Sequence, residues 1–180
     1  MSPKLKQGLV QVYTGDGKGK TTAALGQGFR AAGRGLKVCM IQFLKGANSG
    51  ELVAVKKMEP DFRIFRFEKK RGFFWTLTDE EKQELKEEIE TGFAFAKELL
   101  AQGECDMLIL DEIMGVLQNR LLTVDAVCEL IRTKPAHVEL ILTGRNVPPP
   151  IAELADLITE MKEVKHYFRQ GVPARVGIES

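Results

Sequence analysis

Residues 14–22 read Thr-Gly-Asp-Gly-Lys-Gly-Lys-Thr-Thr, and this stretch decides the fold. It follows the apolar run Leu-Val-Gln-Val-Tyr at 9–13, which predicts a buried strand, and it runs into Thr-Thr-Ala-Ala-Leu at 21–25, a good helix start. A strand, a glycine-rich turn, Gly-Lys-Thr and a helix in this order are typical of a phosphate-binding loop. Glycines let backbone N–H groups converge on an anion, and the helix N-terminus adds partial positive charge. The sequence therefore predicts a nucleoside triphosphate site.

The side chains of this phosphate loop have separate expected roles. Lys20 is expected to lie along the phosphate chain, and the Thr21 hydroxyl is expected to ligate Mg²⁺, with Thr22 behind it. The residues predicted to surround the nucleotide are Gly15, Asp16, Gly17, Lys18, Gly19, Lys20, Thr21 and Thr22.

The spacing of the glycines departs from the common pattern. Thr14 stands where the first glycine is usual, so Gly15 comes one residue late, and Lys18 adds a second cation inside the loop. A Rossmann site is not predicted, because Lys20 occupies the third glycine position and the second strand ends in Gln42 rather than in an acid.

Composition limits the class of protein. The chain has 180 residues, 44% hydrophobic and 28% charged, which predicts one compact domain over residues 1–180. The net charge of +1 implies no general attraction to nucleic acid or to a membrane. A Met-Ser-Pro-Lys start without an apolar segment, and the lack of a long apolar run, predict a cytoplasmic protein. Three widely spaced cysteines, Cys39, Cys105 and Cys128, predict reduced thiols rather than a disulfide or a zinc site.

Strand and helix patterns alternate along the chain, which predicts an α/β fold. We expect a single-domain, RecA-like P-loop architecture whose mostly parallel sheet has helices on both faces. The clearest helix is predicted to start at a capping box formed by Thr78 and Glu81. Strands are predicted at 9–14, 37–43, 62–67 (at an edge), 107–110 and 138–143, with a candidate last strand at 157–160. Helices are predicted at 20–33, about 51–58, 78–101, 123–132 and 151–155, and an irregular tail at 161–180.

Two acids follow the most apolar predicted strand. Leu-Ile-Leu at 108–110 leads directly into Asp111 and Glu112, which places both carboxylates at the C-terminal edge of the sheet beside the phosphate loop. In a nucleotide site one of them would hold Mg²⁺ and the other would polarise a water molecule. A strand that ends in a solvated acidic turn is the alternative, and the phosphate loop favours the metal role.

Two cations end other predicted strands at the same edge. Arg145, in Thr-Gly-Arg-Asn at 143–146, is a candidate contact for a phosphate, and Lys45, in Gln-Phe-Leu-Lys-Gly at 42–46, is a similar one. For each, a solvated loop cation is the alternative.

Three consecutive aromatic residues form a second unusual segment. Gly72, Phe73, Phe74 and Trp75 follow a basic run, and such a combination can stack on nucleic-acid bases or on a flat apolar ligand. A loop that buries one or two of its rings in the core is the alternative. His166 has no visible partner for a catalytic triad or a metal site.

Seven motifs together resemble one family. The chain is similar to the ATP:corrinoid adenosyltransferases, especially the bacterial cob(I)alamin adenosyltransferases of the phosphate-loop type, in order and spacing over most of its length. The shortened glycine loop with its extra lysine is itself typical of that family. The matching motifs are Gly-Asp-Gly-Lys-Gly-Lys-Thr-Thr-Ala-Ala (15–24), Gln-Phe-Leu-Lys-Gly (42–46), Gly-Phe-Phe-Trp (72–75), Leu-Asp-Glu (110–112), Thr-Gly-Arg-Asn (143–146), Ala-Asp-Leu-Ile-Thr-Glu-Met (155–161) and Val-Lys-His (164–166).

The resemblance implies a reaction in which Co(I) of a reduced corrinoid attacks C5′ of ATP and expels triphosphate. Co(I) is a strong nucleophile, so the protein needs no general base; it must align C5′ with cobalt and stabilise the leaving triphosphate. The resemblance also implies that ATP lies reversed relative to ordinary P-loop NTPases. It further implies a homodimer and an electron-donating reductase such as a flavoprotein, and leaves open whether cobalamin or a precursor is the substrate.

The family's roles carry over to matching positions. Lys18 and Lys20 would act with Mg²⁺ on the triphosphate. The metal ligands would be Thr21 and Glu112, with Asp111 close by. The resemblance implies that Phe73 and Trp75 press on the lower corrin face, which keeps water and base off the cobalt and makes Co(II) easier to reduce.

Two other functions also fit the residues. A RecA-like ATPase or nucleic-acid motor would use Glu112 to activate water, although the balanced charge argues against a motor. A non-catalytic nucleotide sensor would use the aromatic segment to bind a partner.

Overall fold

A computed structural model describes residues 5–46 and 49–179 of the chain. Six strands form one sheet, and all their pairings are parallel. The strands are β1 (Val10–Thr14), β2 (Val38–Gln42), β3 (Phe62–Phe65), β4 (Met107–Asp111), β5 (Glu139–Thr143) and β6 (Leu157–Glu160). The helices are α1 (Lys20–Ala32), α2 (Gly50–Lys56), α3 (Asp79–Gln102), α4 (Ile113–Gln118), α5 (Val124–Thr133) and α6 (Pro149–Leu154).

The strand order is β3-β2-β4-β5-β1-β6. Strand β5 therefore lies between β1, which leads into the phosphate loop, and β4, which ends in Asp111. This is the RecA-like arrangement that we expected. Because the strands are parallel, the segments that follow β1, β2, β4 and β5 all open at one edge of the sheet.

Side chains alternate between two hydrophobic cores, one on each face of the sheet. In β4, Leu108 and Leu110 belong to the core beneath α3, α4 and α5, whereas Met107 and Ile109 belong to the core beneath α1 and α2. Burial on both faces explains why these strands are continuous apolar runs rather than alternating ones. The predicted sheet with helices on both faces is confirmed.

Helix α1 approaches the sheet through a glycine. A β-carbon on Gly28 would lie 2.7 Å from two carbons of the Phe62 ring and 3.3 Å from Ile109. The small residue therefore sets the distance between the helix that follows the phosphate loop and the strands that carry the other site residues.

Several predicted boundaries are corrected by the structure. Strand β3 stops at Phe65 instead of residue 67, and it does lie at an edge. Helix α4 was not predicted, because its six residues contain Gly115 and are too few to show a helical period. The tail is irregular except for a 3₁₀ turn at Tyr167–Gln170, in which the Phe168 N–H donates to Nδ1 of His166. The capping box of Thr78 and Glu81 at the start of α3 is confirmed.

Two other expectations concerned the redox state of the cysteines and the lack of a membrane-spanning segment. Cys39, Cys105 and Cys128 are free thiols, and all three are buried. Over residues 5–46 and 49–179, no helix combines the length and the apolar character that crossing a membrane requires.

Two glycines of α1 give a matched test of this packing. We expect Gly28→Ala to lower the free energy of unfolding by about 1–3 kcal/mol, because the added methyl group must displace the Phe62 ring. Gly26→Ala in the same helix has open space within 4 Å and should raise that free energy by about 0.5–1 kcal/mol, since alanine favours helix. Urea denaturation of the two variants measures both. Equal effects would contradict the close packing of α1 on Phe62.

Candidate active site

The phosphate loop adopts a conformation that only glycine tolerates at two positions. Gly15 has φ 102° and Gly19 has φ 123°, and both values lie where a β-carbon is strained. Helix α1 begins at Lys20, so the free N–H groups of its first turn face the open end of the loop. This is the strand–loop–helix geometry that the motif predicts.

The segment after β6 crosses the loop closely, which sequence reasoning did not predict. A β-carbon on Gly15 would lie 2.3 Å from the Met161 carbonyl oxygen. The Gly17 N–H donates to the same oxygen at 2.7 Å. Gly15 and Gly17 are therefore required by the crossing chain as well as by any phosphate. The only signal was that Met161 ends a motif shared with the family.

The two lysines of the loop have different surroundings. The Lys20 ammonium is buried and donates to the carbonyl oxygens of Gly15 and Gly17 at 2.8 and 2.9 Å. Burial is the largest cause that lowers the pKa of Lys20. Lys18 is exposed, and its ammonium donates to the Ile178 carbonyl at 2.9 Å. Lys18 thus joins the loop to the tail of the chain.

A cavity of about 600 Å³ opens beside the loop. Its wall includes residues 18–22 of the loop and helix start, residues 44–46 after β2, Arg66 and Glu112. The tail residues 177–179 form another part of the wall, held there by Lys18 and by contacts of Glu179 with Tyr167 and Arg175. We call this the nucleotide cavity.

Asp111 lies at the centre of the polar network around this cavity. Its carboxylate is fully buried at the end of β4. Oδ1 accepts from the hydroxyls of Thr21, at 2.9 Å, and Thr143, at 2.7 Å. Oδ2 accepts from the Gln42 amide at 3.3 Å and forms an ion pair of 2.8 Å with Lys45. The structure thus brings together the acid, Thr21 and Lys45, which the sequence predicted at this edge, and adds Thr143 and Gln42.

Glu112 and Arg145 occupy the two sides of the loop. Glu112 has φ 61°, precedes α4 and lines the nucleotide cavity. Its pKa is raised by burial and then by the neighbouring charge of Asp111. Arg145 is exposed, donates to the Asp16 carbonyl at 3.4 Å and lines a different cavity of about 760 Å³. The Asp16 carboxylate accepts from the Glu163 N–H, and this hydrogen bond is the largest cause that lowers its pKa.

The aromatic segment points two rings outward and one inward. Phe73 and Trp75 are 69% and 77% exposed, and their rings stack in parallel with centroids 4.7 Å apart. Phe74 packs against the hydrophobic core. The alternative in which one or two rings pack into the core is therefore right for Phe74, and the stacking of Phe73 and Trp75 on a ligand stays a prediction.

An ion-pair cluster fixes the start of this aromatic segment on α3. The Arg71 guanidinium bonds Glu84 at 2.9 Å and contacts Glu88, and its side chain is only 10% exposed. A cavity of about 370 Å³ lies between residues 68–75 and the turn at 44–46. We call it the aromatic cavity.

The nucleotide cavity and the aromatic cavity share Leu44 and Gly46 as lining residues. Leu44 has φ 56°, in the left-handed region. Glu68 lines the aromatic cavity, and burial raises its pKa to about 7. One short turn therefore separates a polar cavity from an apolar one.

The sheet order, the phosphate loop and the buried acid at the end of β4 define a P-loop protein of RecA-like topology. The family model of the ATP:corrinoid adenosyltransferases BtuR/CobO/CobP matches residues 6–180, and the chain belongs to this family.

Individual relatives agree with this assignment. The chain is 35% identical over 177 residues to the corrinoid adenosyltransferase of Pseudomonas aeruginosa, with 97% of this chain and 84% of that protein covered. It is 35% identical over 175 residues to the corrinoid adenosyltransferase of Escherichia coli K12, with 97% and 86% covered. Among solved structures, a KaiC-like protein from Pyrococcus horikoshii matches with a TM-score of 0.55 and 15% identity, covering 91% of this chain and 83% of that one. The last likeness concerns the fold alone.

The raised pKa of Glu68 predicts a pH dependence of stability. Between its ordinary value of 4.5 and about 7, the folded protein holds a proton that the unfolded chain releases. Stability should therefore fall as the pH rises through this window, by at most about 3 kcal/mol from this group. Glu68→Gln should remove that component, as followed by urea denaturation at pH 5, 6, 7 and 8. The exposed Glu98→Gln serves as control, and parallel profiles of the two variants would contradict the assignment to Glu68.

Proposed function

We propose that the chain transfers the 5′-deoxyadenosyl group of ATP to the Co(I) centre of a reduced corrinoid and releases triphosphate. The observation that carries this proposal is that a polar cavity beside the phosphate loop and an apolar aromatic cavity meet at Leu44 and Gly46. In the proposed transfer, cobalt approaches C5′ from one side and the triphosphate leaves from the other. A junction between an apolar and a polar cavity can hold the corrinoid on one side and the triphosphate on the other. Membership of the adenosyltransferase family supports the same reaction and does not favour an ATPase or a nucleotide sensor.

In this reaction the electron pair of Co(I) forms the bond to C5′, while the pair of the C5′–O bond leaves with the triphosphate. No side chain has to remove a proton, so the role of the protein is alignment and charge stabilisation. Lys20, the N–H groups at the start of α1 and Lys18 are the groups that we assign to the triphosphate. The outward rings of Phe73 and Trp75 are assigned to the corrin face, where they would exclude water and base from cobalt.

Magnesium fits the oxygen donors beside the loop. Over the described residues, no three His, Cys, Asp or Glu side chains converge as a metal cluster. A hydroxyl and one or two carboxylates, completed by phosphates and water, are nevertheless what Mg²⁺ takes in nucleotide sites. Thr21 and Asp111 already face one cation, the Lys45 ammonium, and Glu112 lines the same cavity. We propose these three oxygen donors as the magnesium site, where the ion would neutralise phosphate charge.

Several finer points are also part of the proposal. The 180 residues act as a single adenosyltransferase domain in the cytoplasm, in keeping with three free thiols. We expect a homodimer and an electron-donating reductase, such as a flavoprotein, because the family resemblance implies both, and we expect no nucleic-acid or membrane partner. Arg145 is kept as a candidate phosphate contact from the outer side of the loop.

The direct test mixes the protein with ATP, Mg²⁺ and chemically reduced cobalamin, and follows the visible spectrum for adenosylcobalamin. We expect product from the native chain and, for Lys20→Ala, a loss of about 100-fold or more in rate, because a buried charge at the triphosphate is removed. Lys86→Ala on the exposed face of α3 is the matched control. Folded native protein that leaves the spectrum unchanged would overturn the function. Lys20→Ala within about threefold of the native rate would overturn that residue's role.

Removal of the exposed Trp75 ring distinguishes the reduction of Co(II) from the transfer of the adenosyl group to Co(I). We expect Trp75→Ala to impair adenosylation from Co(II) with a reductant more than adenosylation from pre-reduced Co(I), because the ring excludes an axial ligand from cobalt. Phe168→Ala removes an equally exposed ring from the tail and is the control. Equal losses for Trp75→Ala in both assays would assign Trp75 to corrinoid binding alone.

A further inference from the structure

Lys45, in the motif Gln-Phe-Leu-Lys-Gly at 42–46, contacts two side chains of the proposed magnesium site. Its ammonium lies 2.8 Å from Oδ2 of Asp111 and 3.1 Å from Oγ1 of Thr21. Those are two of the oxygens assigned above to a divalent cation. The ammonium therefore bridges the metal-binding oxygens themselves, rather than a peripheral site.

The pairing has a clear electrostatic reason. The Asp111 carboxylate is fully buried, and a buried carboxylate without a cation is strongly unfavourable. Hydroxyls of Thr21 and Thr143 and the amide of Gln42 supply hydrogen bonds but no charge. Over the described ranges, Lys45 is the residue that forms an ion pair with Asp111.

An ammonium and Mg²⁺ cannot both sit against the same oxygens, because two cations at that distance repel each other. The Lys45 side chain can move: it is 26% exposed and borders the open nucleotide cavity. The backbone that leads into this turn is held by the sheet, since the Phe43 N–H donates to the Asp111 carbonyl oxygen at 3.0 Å. Only a flexible four-carbon side chain has to swing.

The direction of that movement is set by the cavities. Lys45 lies between Leu44 and Gly46, which border both the nucleotide cavity and the aromatic cavity. Under the proposed function, the bond that breaks joins C5′ to an oxygen of the α-phosphate, and this bond has to lie near that junction. A lysine released there would face the oxygen on which negative charge grows.

We propose that Lys45 is an exchangeable counter-ion, which neutralises Asp111 until a divalent cation replaces it and then contacts the α-phosphate oxygen of the departing triphosphate. The first half concerns this chain's own residues and does not depend on corrinoid. The second half rests on the proposed function. The electron pair of the broken C5′–O bond goes to that oxygen, and the Co(I) pair forms the new bond, so no further oxidant or reductant is needed.

The first half is tested with Mn²⁺ alone, without nucleotide, by titration calorimetry or by the electron paramagnetic resonance of free Mn²⁺. We expect Lys45→Met to bind Mn²⁺ at least about tenfold more tightly than the native chain, because the competing ammonium is gone. The control Lys86→Met removes one exposed lysine from α3 and should bind as the native chain does. Mn²⁺ should also raise the melting temperature of Lys45→Met more than that of the native protein.

Two further variants keep this test decisive. If Lys45→Met is too unstable to titrate, Lys45→Gln retains a hydrogen-bond donor without the charge and carries the same expectation. Lys45→Arg keeps the charge and should bind Mn²⁺ as weakly as the native chain. Native-like Mn²⁺ affinity in the folded uncharged variants would overturn the counter-ion role.

The second half is tested by single-turnover adenosylation of pre-reduced cobalamin at saturating Mg²⁺ and ATP. We expect Lys45→Met to be slowed by about 10- to 100-fold, with a smaller change in the apparent affinity for ATP, because the interaction grows in the transition state. A rate within about threefold of native would overturn the phosphate contact. If the native chain itself forms no adenosylcobalamin, the proposed function fails, while the Mn²⁺ titration still decides the counter-ion role.

Discussion

The buried carboxylate of Asp111 is the constraint on which the rest of the site depends. A carboxylate that is fully excluded from solvent is stable only when every oxygen is hydrogen-bonded and its charge is paired. Its partners come from three segments: Thr21 from the start of α1, Thr143 from the end of β5, and Gln42 and Lys45 from the end of β2 and the turn after it. The parallel order of β2, β4, β5 and β1 is what brings these segments to one edge.

The network extends outward from Gln42. Its side-chain oxygen accepts from Nε and Nη2 of Arg66 at 2.9 and 2.6 Å, and Arg66 also donates to Ser49. Arg66 follows β3, so a continuous set of polar contacts runs from the edge strand to the buried acid. A fully satisfied buried network rigidifies its surroundings. Long side chains that border the cavity, such as Lys45, are then the parts of the site that can rearrange at low cost.

Local sequence patterns predicted the features that are set by residues adjacent in the chain. The strand, the glycine loop, the helix start and the acids after β4 each occupy a few consecutive positions, so their roles and their common edge could be predicted. The capping box of α3 was predicted for the same reason. Helix α4 was not predicted, because its six residues, which include Gly115, are too few to show a helical period.

Long-range contacts could not be predicted from those patterns. Met161 crosses Gly15 and Gly17, Lys18 reaches Ile178, and the inward turn of Phe74 depends on the core beneath it. Each contact joins segments whose approach is decided by the sheet order, and nothing in the local sequence marks it. Lys18 is an example: the loop motif predicts a phosphate contact for its ammonium, and no local pattern predicts the hydrogen bond that it donates to the Ile178 carbonyl.

The crossing at Met161 gives a physical reason for the unusual glycine spacing. In a common phosphate loop, successive N–H groups point at the anion and enclose it. Here the Gly17 N–H is directed to the Met161 carbonyl and is not left for an anion, whereas the start of α1, with Lys20, borders the cavity. A point charge can pair with a phosphate chain in more than one orientation, whereas an enclosing set of amides fixes a single orientation. A loop of this kind suits a reaction in which the triphosphate leaves whole, because the charge that must be stabilised lies at its sugar end rather than at its terminal phosphate.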